Sequence, residues 1–188
     1  MTTRAATLIS AEEFATMGDL GTVELVRGRV IPLTKPKAKH GRIAMRFAAA
    51  IAQFVYEHNL GEVYAAETGY VVEHNPDTVR APDVSFVRAE LVLGHDEDEW
   101  YPHSPDLAVE VVSPGDRPAV IDEKVRMWLD GGARSVWLVH PQARTVTLHH
   151  PSGSPQVVRE DEELRDDRVL PGFVMRGLKG IFARVGQT

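Results

Sequence analysis

The amino-acid sequence predicts an α/β protein whose mixed sheet (α+β) carries helices on its faces. Short apolar runs rich in valine, at residues 105–114 and 135–139, are typical of buried strands. Residues 40–59 instead carry apolar side chains at helical spacing, as do residues 118–131. Strand and helix patterns follow one another without a linker, repeat or low-complexity segment. We therefore expect a single domain over residues 1–188.

The composition is that of an ordinary globular protein, with 43% hydrophobic and 26% charged residues. The absence of cysteine excludes disulfides, thiolate zinc sites and a cysteine nucleophile, and it fits a reducing cytoplasm. We expect a cytoplasmic protein outside any membrane, because the sequence has no membrane-spanning apolar run and no signal-peptide core. The net charge of −6 argues against nonspecific coating of nucleic acid, although local charge decides what a site can bind.

The N-terminal part predicts a short helix followed by a β-hairpin. Residues 10–13 (SAEE) form a capping box that opens a helix ending near Met17. Residues 22–26 alternate like a half-buried strand, and the turn at residues 27–28 leads into a second strand at residues 29–33. We expect this helix and hairpin to form an N-terminal extension of the core.

A basic connector at residues 35–42 (KPKAKHGR) leads into the long helix expected over residues 40–59. The connector is either a solvated loop or a rim that contacts phosphate, because a helix N-terminus attracts anions. Two strands are expected next, at residues 62–73 and 79–87, with a turn between them at residues 74–77.

The second half of the chain begins with an acidic loop at residues 95–100, which we interpret as solvated rather than as a metal site. The buried strand at residues 105–114 leads through a sharp break into a helix expected over residues 118–131. Strands at residues 135–139 and 145–149 then pair across a turn.

Glu110 lies in the middle of the apolar strand PDLAVEVVSP, residues 105–114. A strand that is apolar on both faces is normally covered on both, so an ionised carboxylate there needs a partner or a metal ion. Alternation along the strand places Ala108, Glu110 and Val112 on one face. Asp83 has similar surroundings upstream, in the segment RAPDVSFV. Both acids are therefore candidates for a site built on rigid strands.

The helix that follows supplies Lys124. Ile121, Val125 and Trp128 form its apolar stripe, and Lys124 lies on that stripe. Because the helix follows the Glu110 strand directly, we expect the lysine and the glutamate to face each other. A buried structural salt bridge, or a lysine that reaches solvent at the rim, would give the same pattern, and spacing alone leaves these alternatives open.

Six blocks in order along nearly the whole chain resemble the Uma2 family (DUF820), whose members are assigned to the restriction endonucleases. The blocks are residues 23–28 (VELVRG), His40 at the start of the long helix, residues 80–84 (RAPDV), residues 105–114, residues 123–124 (EK) and residues 136–141 (VWLVHP). The family belongs to the PD-(D/E)XK nuclease superfamily. The resemblance therefore implies a restriction-endonuclease-like core with helices on the faces of its sheet.

The resemblance also implies roles for individual residues. Asp83 matches the motif aspartate, Glu110 the acidic residue of the second motif, and Lys124 the lysine. Mg²⁺ or Mn²⁺ would be held by Asp83, Glu110 and the backbone carbonyl of Val111, since such ions take oxygen ligands. Lys124 would orient a metal-bound water or stabilise the developing negative charge.

The chain departs from the family pattern at three positions. The superfamily places its lysine two residues after the acid, where this chain has Val112, so the lysine is expected to have moved to the following helix as Lys124. Arg27 and His140 stand where the family often has aspartate. Neither position belongs to the expected metal site, so the nuclease hypothesis stands.

The sequence thus predicts a metal-dependent DNA endonuclease that hydrolyses phosphodiester bonds and works as a homodimer, because cutting a duplex needs two sites. His40 and Glu24 resemble recurrent family positions near the site, although a helix-cap histidine and an exposed strand glutamate are equally simple explanations. The alternative function is a catalytically weak or inactive nuclease-fold module for binding or structure, which the charge of −6 favours. A small-molecule hydrolase has no support, since the sequence has no Gly-x-Ser-x-Gly or His-Glu-x-x-His motif.

Overall fold

The computed structural model describes residues 7–186, and within them the chain forms five helices and ten strands. The helices are α1 (Ala11–Ala15), α2 (Ala38–Glu57), α3 (Ala89–Val92), α4 (Pro118–Asp130) and α5 (Leu178–Phe182). The strands are β1 (Val23–Val26), β2 (Arg29–Pro32), β3 (Gly61–Ala65), β4 (Tyr70–Glu73), β5 (Thr78–Arg80), β6 (Val84–Arg88), β7 (Leu107–Val111), β8 (Ser135–His140), β9 (Thr145–His149) and β10 (Gln156–Arg159). In this part of the chain no helix has both the length and the apolar character needed to cross a membrane.

The strands build two sheets. The larger has the order β10-β9-β8-β7-β6-β3, and it is mixed because β7 and β8 run parallel while its other neighbours are antiparallel. Helix α4 makes the crossover between β7 and β8, which a parallel pair requires. The smaller sheet has the order β2-β1-β5-β4 and is antiparallel. The predicted α/β class, with a mixed sheet and helices on its faces, is confirmed.

The N-terminal helix and hairpin form where the sequence predicted them. Ser10 and Glu13 make the reciprocal hydrogen bonds of the capping box at α1. The turn between β1 and β2 has positive φ at Arg27 (48°) and Gly28 (71°), as a two-residue type I′ turn requires. The hairpin does not stand apart from the core, because β1 also pairs with β5 and so belongs to the smaller sheet.

The two long strands expected over residues 62–73 and 79–87 are each broken in the middle, and in that respect the prediction was wrong. Strands β3 and β6 pair in the larger sheet, whereas β4 and β5 pair in the smaller. The first break contains Glu67 with φ of 83°, which a strand cannot accommodate. The second contains Pro82, which has no N–H for the ladder and also restricts Ala81. The chain therefore passes from the larger sheet to the smaller one and back.

Each face of the larger sheet has its own apolar core. On one face, Leu107, Val109 and Val111 of β7 are buried with the apolar side of α2. On the other face, Ala108 of β7 is buried with the apolar side of α4. The alternation along β7 is the one that the sequence predicted, and it directs Glu110 toward α4.

Asp166 fastens the C-terminal segment to the larger sheet. Its Oδ2 accepts hydrogen bonds from Ser135 Oγ at 2.6 Å and from Trp137 Nε1 at 2.9 Å. Its Oδ1 lies 3.0 Å from Nε2 of His150. Asp166 and Ser135 are both buried, so these polar groups depend on one another for their hydrogen bonds.

Candidate active site

A cleft of about 1070 Å³ is lined by residues of both sheets and of the helices α2 and α4. The site residues predicted from the sequence all line it: Glu24, His40, Asp83, Glu110, Val111 and Lys124. Glu24 comes from β1 of the smaller sheet, while Glu110 and Val111 come from β7 of the larger. The structure therefore brings together side chains that are far apart in the sequence.

Asp83 stands immediately before β6 and reaches across to the end of β7. Its Oδ2 accepts a hydrogen bond from the backbone N–H of Val111 at 2.7 Å. Nε2 of His40 lies 3.3 Å from the same oxygen. Within residues 7–186 no hydrogen bond reaches Oδ1 of Asp83. One carboxylate oxygen thus fixes the orientation of the side chain, and the other is open to a ligand.

Glu110 is a buried carboxylate that faces α4, as expected. Its Oε1 accepts a hydrogen bond from Trp128 Nε1 at 2.9 Å, and Nζ of Lys124 lies 3.2 Å from Oε2. Burial raises the pKa of Glu110, attraction to Lys124 opposes this, and repulsion from Asp83 adds to it. The net result is a carboxyl group with a pKa above its ordinary value.

Lys124 occupies the inward position on α4 that the sequence predicted, with 28% of its side chain exposed. Burial and the positive charge of Arg80 lower the pKa of Lys124, burial being the larger of the two effects. Attraction to Glu110, and to a smaller extent to Glu24, outweighs them, so the pKa of Lys124 lies above its ordinary value. Lys124 therefore keeps its proton. Glu110 is the member of the pair that can gain a proton as the pH falls.

His40 lies in the first turn of α2 beside Asp83. The hydrogen bond to Asp83 raises the pKa of His40, burial opposes this, and the charge of Asp83 and the backbone of Val111 raise it further. The net direction is upward, which favours the imidazolium form. The helix-cap explanation does not describe its contact, because its ring nitrogen faces a carboxylate of the cleft rather than the backbone of α2.

Glu24 and Arg80 form a second charged pair in the cleft. Glu24 is 5% exposed, so the alternative of an exposed strand glutamate is wrong. Nε of Arg80 lies 3.5 Å from Oε2 of Glu24. Arg80 belonged to the RAPDV block, but sequence reasoning gave it no role. Its place three residues before Asp83, at the end of a strand, is the signal that could have identified it.

The basic connector lies at the mouth of the cleft, where Lys35, Lys37 and Lys39 contribute to the lining. All three lysines are exposed, and Lys39 Nζ donates a hydrogen bond to the carbonyl of Pro141 at 3.2 Å. The connector is therefore both exposed to solvent and part of the lining of the cleft, so its two interpretations do not exclude each other. The acidic side chains of residues 96–99 are exposed, as expected for a solvated loop.

Oxygen donors near Val111 are the groups that could hold a metal ion. Asp83 accepts the N–H of Val111, and Glu110 precedes Val111 in β7, so both carboxylates flank the same peptide group. Two carboxylates and a carbonyl suit Mg²⁺, which takes oxygen ligands and keeps several waters. No group of three or more His, Cys, Asp or Glu side chains within residues 7–186 is arranged to hold a metal ion.

Comparison with known proteins identifies the fold and the family. A crystal structure described as "a putative nuclease belonging to DUF820", from Anabaena variabilis, superposes with a TM-score of 0.78 and 19% sequence identity, over 93% of this chain and 97% of that chain. At that identity the likeness shows the shared fold. No curated protein sequence matches significantly. The family model of Uma2, described as "Putative restriction endonuclease", matches residues 11–178, from α1 to the first residue of α5. The chain therefore belongs to the Uma2 family.

Proposed function

We propose that this protein is a metal-dependent DNA endonuclease that hydrolyses phosphodiester bonds. The observation that carries the proposal is the convergence of Asp83, Glu110 and Lys124 in one cleft, with Lys124 Nζ 3.2 Å from Glu110. Perturbed acids and bases that share a cleft are typical of catalytic sites. Membership of the Uma2 family, whose model carries an endonuclease description, supports the same function.

In this proposal Asp83, Glu110 and the Val111 carbonyl hold Mg²⁺ or Mn²⁺. Such an ion, when bound, lowers the pKa of a coordinated water and neutralises charge on the phosphate. The hydrogen bond from the Val111 N–H fixes the carboxylate of Asp83 and leaves its other oxygen for the ion. His40 supports the site by holding Asp83 in this orientation.

Lys124 is proposed as the catalytic cation. It stays protonated beside Glu110, so it can donate hydrogen bonds either to the attacking water or to the negative charge that develops on the phosphate. Trp128 donates a hydrogen bond to Oε1 of Glu110, and this contact holds the carboxylate in place independently of Lys124. Glu24 supports Lys124 because its negative charge also raises the pKa of the lysine.

We further propose that the active form is a homodimer. A duplex has two antiparallel strands, and two sites related by a two-fold axis can each cut one of them. Each chain has a single cleft with this set of residues in the part that the structure describes. A second copy is therefore the simplest source of the second site.

The experiment is cleavage of supercoiled plasmid DNA, with Mg²⁺, Mn²⁺ or EDTA in parallel reactions. We expect nicked and linear products with either metal and none with EDTA. Asp83→Asn should slow cleavage at least ~100-fold, because it removes a charge at the reacting centre. Asp122→Asn is the matched control, since this exposed aspartate of α4 lies outside the cleft.

The alternative function is a nuclease-fold module with little or no catalysis. One observation favours it, namely that both oxygens of Glu110 are already engaged, by Trp128 and by Lys124. A folded wild-type protein that binds DNA but leaves plasmid intact with both metals would establish this alternative. Equal cleavage by wild type and Asp83→Asn would show that the active site lies elsewhere.

A further inference from the structure

Arg80 has more unused hydrogen-bond donors than its surroundings explain. It ends β5, and its side chain is 12% exposed. A guanidinium group carries five N–H donors. In residues 7–186 its ion-pair partner is Glu24, whose Oε2 lies 3.5 Å from Nε without hydrogen-bond geometry. Nε is consequently buried with no hydrogen-bond partner.

The two terminal nitrogens of Arg80 also make no hydrogen bond within the described chain, and unlike Nε they are not buried. Arg80 is one of the residues that line the cleft, together with its neighbours Ala81 and Asp83. Charged groups that are largely buried normally have a full set of partners, since an unpaired donor loses its hydrogen bonds to water. A purely structural arginine would be satisfied by the fold, whereas Arg80 lines the cleft with its donors unpaired.

The neighbouring cations of the cleft are already engaged. Lys124 lies 3.2 Å from Glu110, and His40 lies 3.3 Å from Asp83. Arg80 is separated from Asp83 by only two residues, one of them the stiff Pro82, so its position relative to the proposed metal ligands is fixed. Exposed lysines also line the cleft, but Arg80 is a largely buried cation there whose donors remain available for an anionic ligand.

We propose that Arg80 binds two non-bridging oxygens of a backbone phosphate of the nucleic-acid substrate, and that Glu24 is the positioning residue that holds its guanidinium. This inference rests on the proposed function, because the ligand is the phosphodiester on which that enzyme acts. The flat fork of a guanidinium matches two phosphate oxygens at once, which an ammonium group cannot do. Glu24, buried and without a tight hydrogen bond to Arg80, can hold the fork without occupying its terminal nitrogens.

The test is fluorescence anisotropy of a fluorescein-labelled 16-base-pair duplex at low salt in EDTA, so that the DNA stays intact. Wild type is compared with Arg80→Gln and with Arg134→Gln, each of which removes one positive charge. Arg134 is the control because it is exposed, and it precedes Ser135 at the end of the parallel β7–β8 pair opposite to Val111. Its backbone N–H donates to the carbonyl of Asp106, and its exposed side chain does not line the cleft.

We expect Arg80→Gln to weaken binding ~10-fold or more, since a bidentate charge-assisted contact is lost, and Arg134→Gln to change it less than about twofold. Equal losses in the two variants, or wild-type affinity in Arg80→Gln, would overturn the role of Arg80. The same holds if wild type fails to bind the duplex at about 100 µM protein, the weak limit of nonspecific affinity.

Melting temperatures show whether the variants are folded. If Arg80→Gln unfolds below the assay temperature, Arg80→Lys keeps a positive charge beside Glu24, and the inference then requires a several-fold loss of affinity because the fork is gone. Wild-type affinity in folded Arg80→Lys would overturn it. Plasmid cleavage separates this inference from the proposed function. If Arg80→Gln cleaves DNA with the rate and KM of wild type, only the role of Arg80 is refuted. If DNA binding depends on Arg80 but wild type does not cleave, only the endonuclease function is refuted.

Discussion

Replacing Lys124 with alanine distinguishes a catalytic lysine from a purely structural one. At a separation of 3.2 Å and an effective dielectric constant of about 20, the Coulomb attraction between Lys124 and Glu110 is roughly 5 kcal/mol. Burial of the two charges offsets much of this attraction. Breaking such a pair by removing one partner typically costs about 3–5 kcal/mol.

Two features of the site reduce the cost of this substitution. Trp128 still donates its 2.9 Å hydrogen bond to Glu110, and water reaches the place of Lys124, whose side chain is 28% exposed. We therefore expect Lys124→Ala to lower the free energy of unfolding by about 2–3 kcal/mol and to remain folded at 25 °C. Urea denaturation in EDTA measures this, and Lys37→Ala, an exposed lysine of the connector, should change stability by less than about 0.5 kcal/mol.

The loss of stability should depend on pH, and its sign follows from Glu110. Burial raises the pKa of Glu110 above the 4.5 of a free side chain, and removal of Lys124 takes away the main opposing attraction. In the variant, the folded state therefore holds the proton of Glu110 more tightly than the unfolded state does. The resulting loss of stability is absent below about pH 4.5, and it grows as the pH rises through the pKa of Glu110 in the folded protein. Lys124→Ala should be closer to wild type at pH 5 than at pH 8.

The activity of the same variant decides the catalytic role. We expect Lys124→Ala to bind Mn²⁺, because lysine is not a ligand, and to have no detectable plasmid cleavage. Full cleavage by a folded Lys124→Ala protein would show that the wrong lysine has been assigned. Loss of cleavage that merely follows loss of folded protein would instead identify Lys124 as a structural partner of Glu110.

Three further predictions concern the metal, the dimer and the C-terminal anchor. Mn²⁺ should stabilise wild type by about 2.7 kcal/mol at a hundred times its Kd, as measured by thermal melting, and Glu110→Ala should not respond; equal responses would exclude the site. Light scattering should give twice the chain mass of 20.8 kDa. A mass of 20.8 kDa at high protein concentration would contradict a homodimer. Asp166→Ala loses its hydrogen bonds with Ser135, Trp137 and His150, so its free energy of unfolding should fall by roughly 2–4 kcal/mol. An unchanged midpoint of urea denaturation would show that Asp166 does not anchor the C-terminal segment.

The pairing of Glu110 with Lys124 could be predicted because it depends on local periodicity. Alternation along β7 sets the face of Glu110, and the stripe of Ile121, Val125 and Trp128 sets the face of Lys124. A helix that directly follows a strand packs back on it, which leaves little freedom for the relative positions. Local patterns therefore place the two side chains on facing surfaces, although they do not distinguish this contact from a lysine that reaches solvent at the rim.

The pairing of Glu24 with Arg80 could not be predicted in the same way. It depends on the antiparallel pairing of β1 with β5, at Leu25 and Val79, and these strands are separated by the whole of β2, α2, β3 and β4. Hydrophobic patterns identify strands but do not say which distant strands become neighbours. The smaller sheet was not predicted either. The segments around Glu67 and Pro82 look like continuous strands in the sequence, whereas in the structure each is broken between a strand of the larger sheet and a strand of the smaller one.

The net charge of −6 and the anionic substrate that we propose are reconciled by where the charges lie. The inner cleft holds the carboxylates of Glu24, Asp83 and Glu110 against the cations of Arg80, Lys124 and His40. The exposed part of its lining is balanced as well, with the lysines Lys35, Lys37 and Lys39 and the acids Asp19, Glu67 and Asp116. This inner array is close to neutral when His40 is protonated, so it neither repels nor strongly attracts DNA. A divalent cation held by the two carboxylates near Val111 would make it positive by two charges. Binding of metal and of DNA would then favour each other by the same factor, as linkage requires, and the overall charge of the chain would matter little at the site.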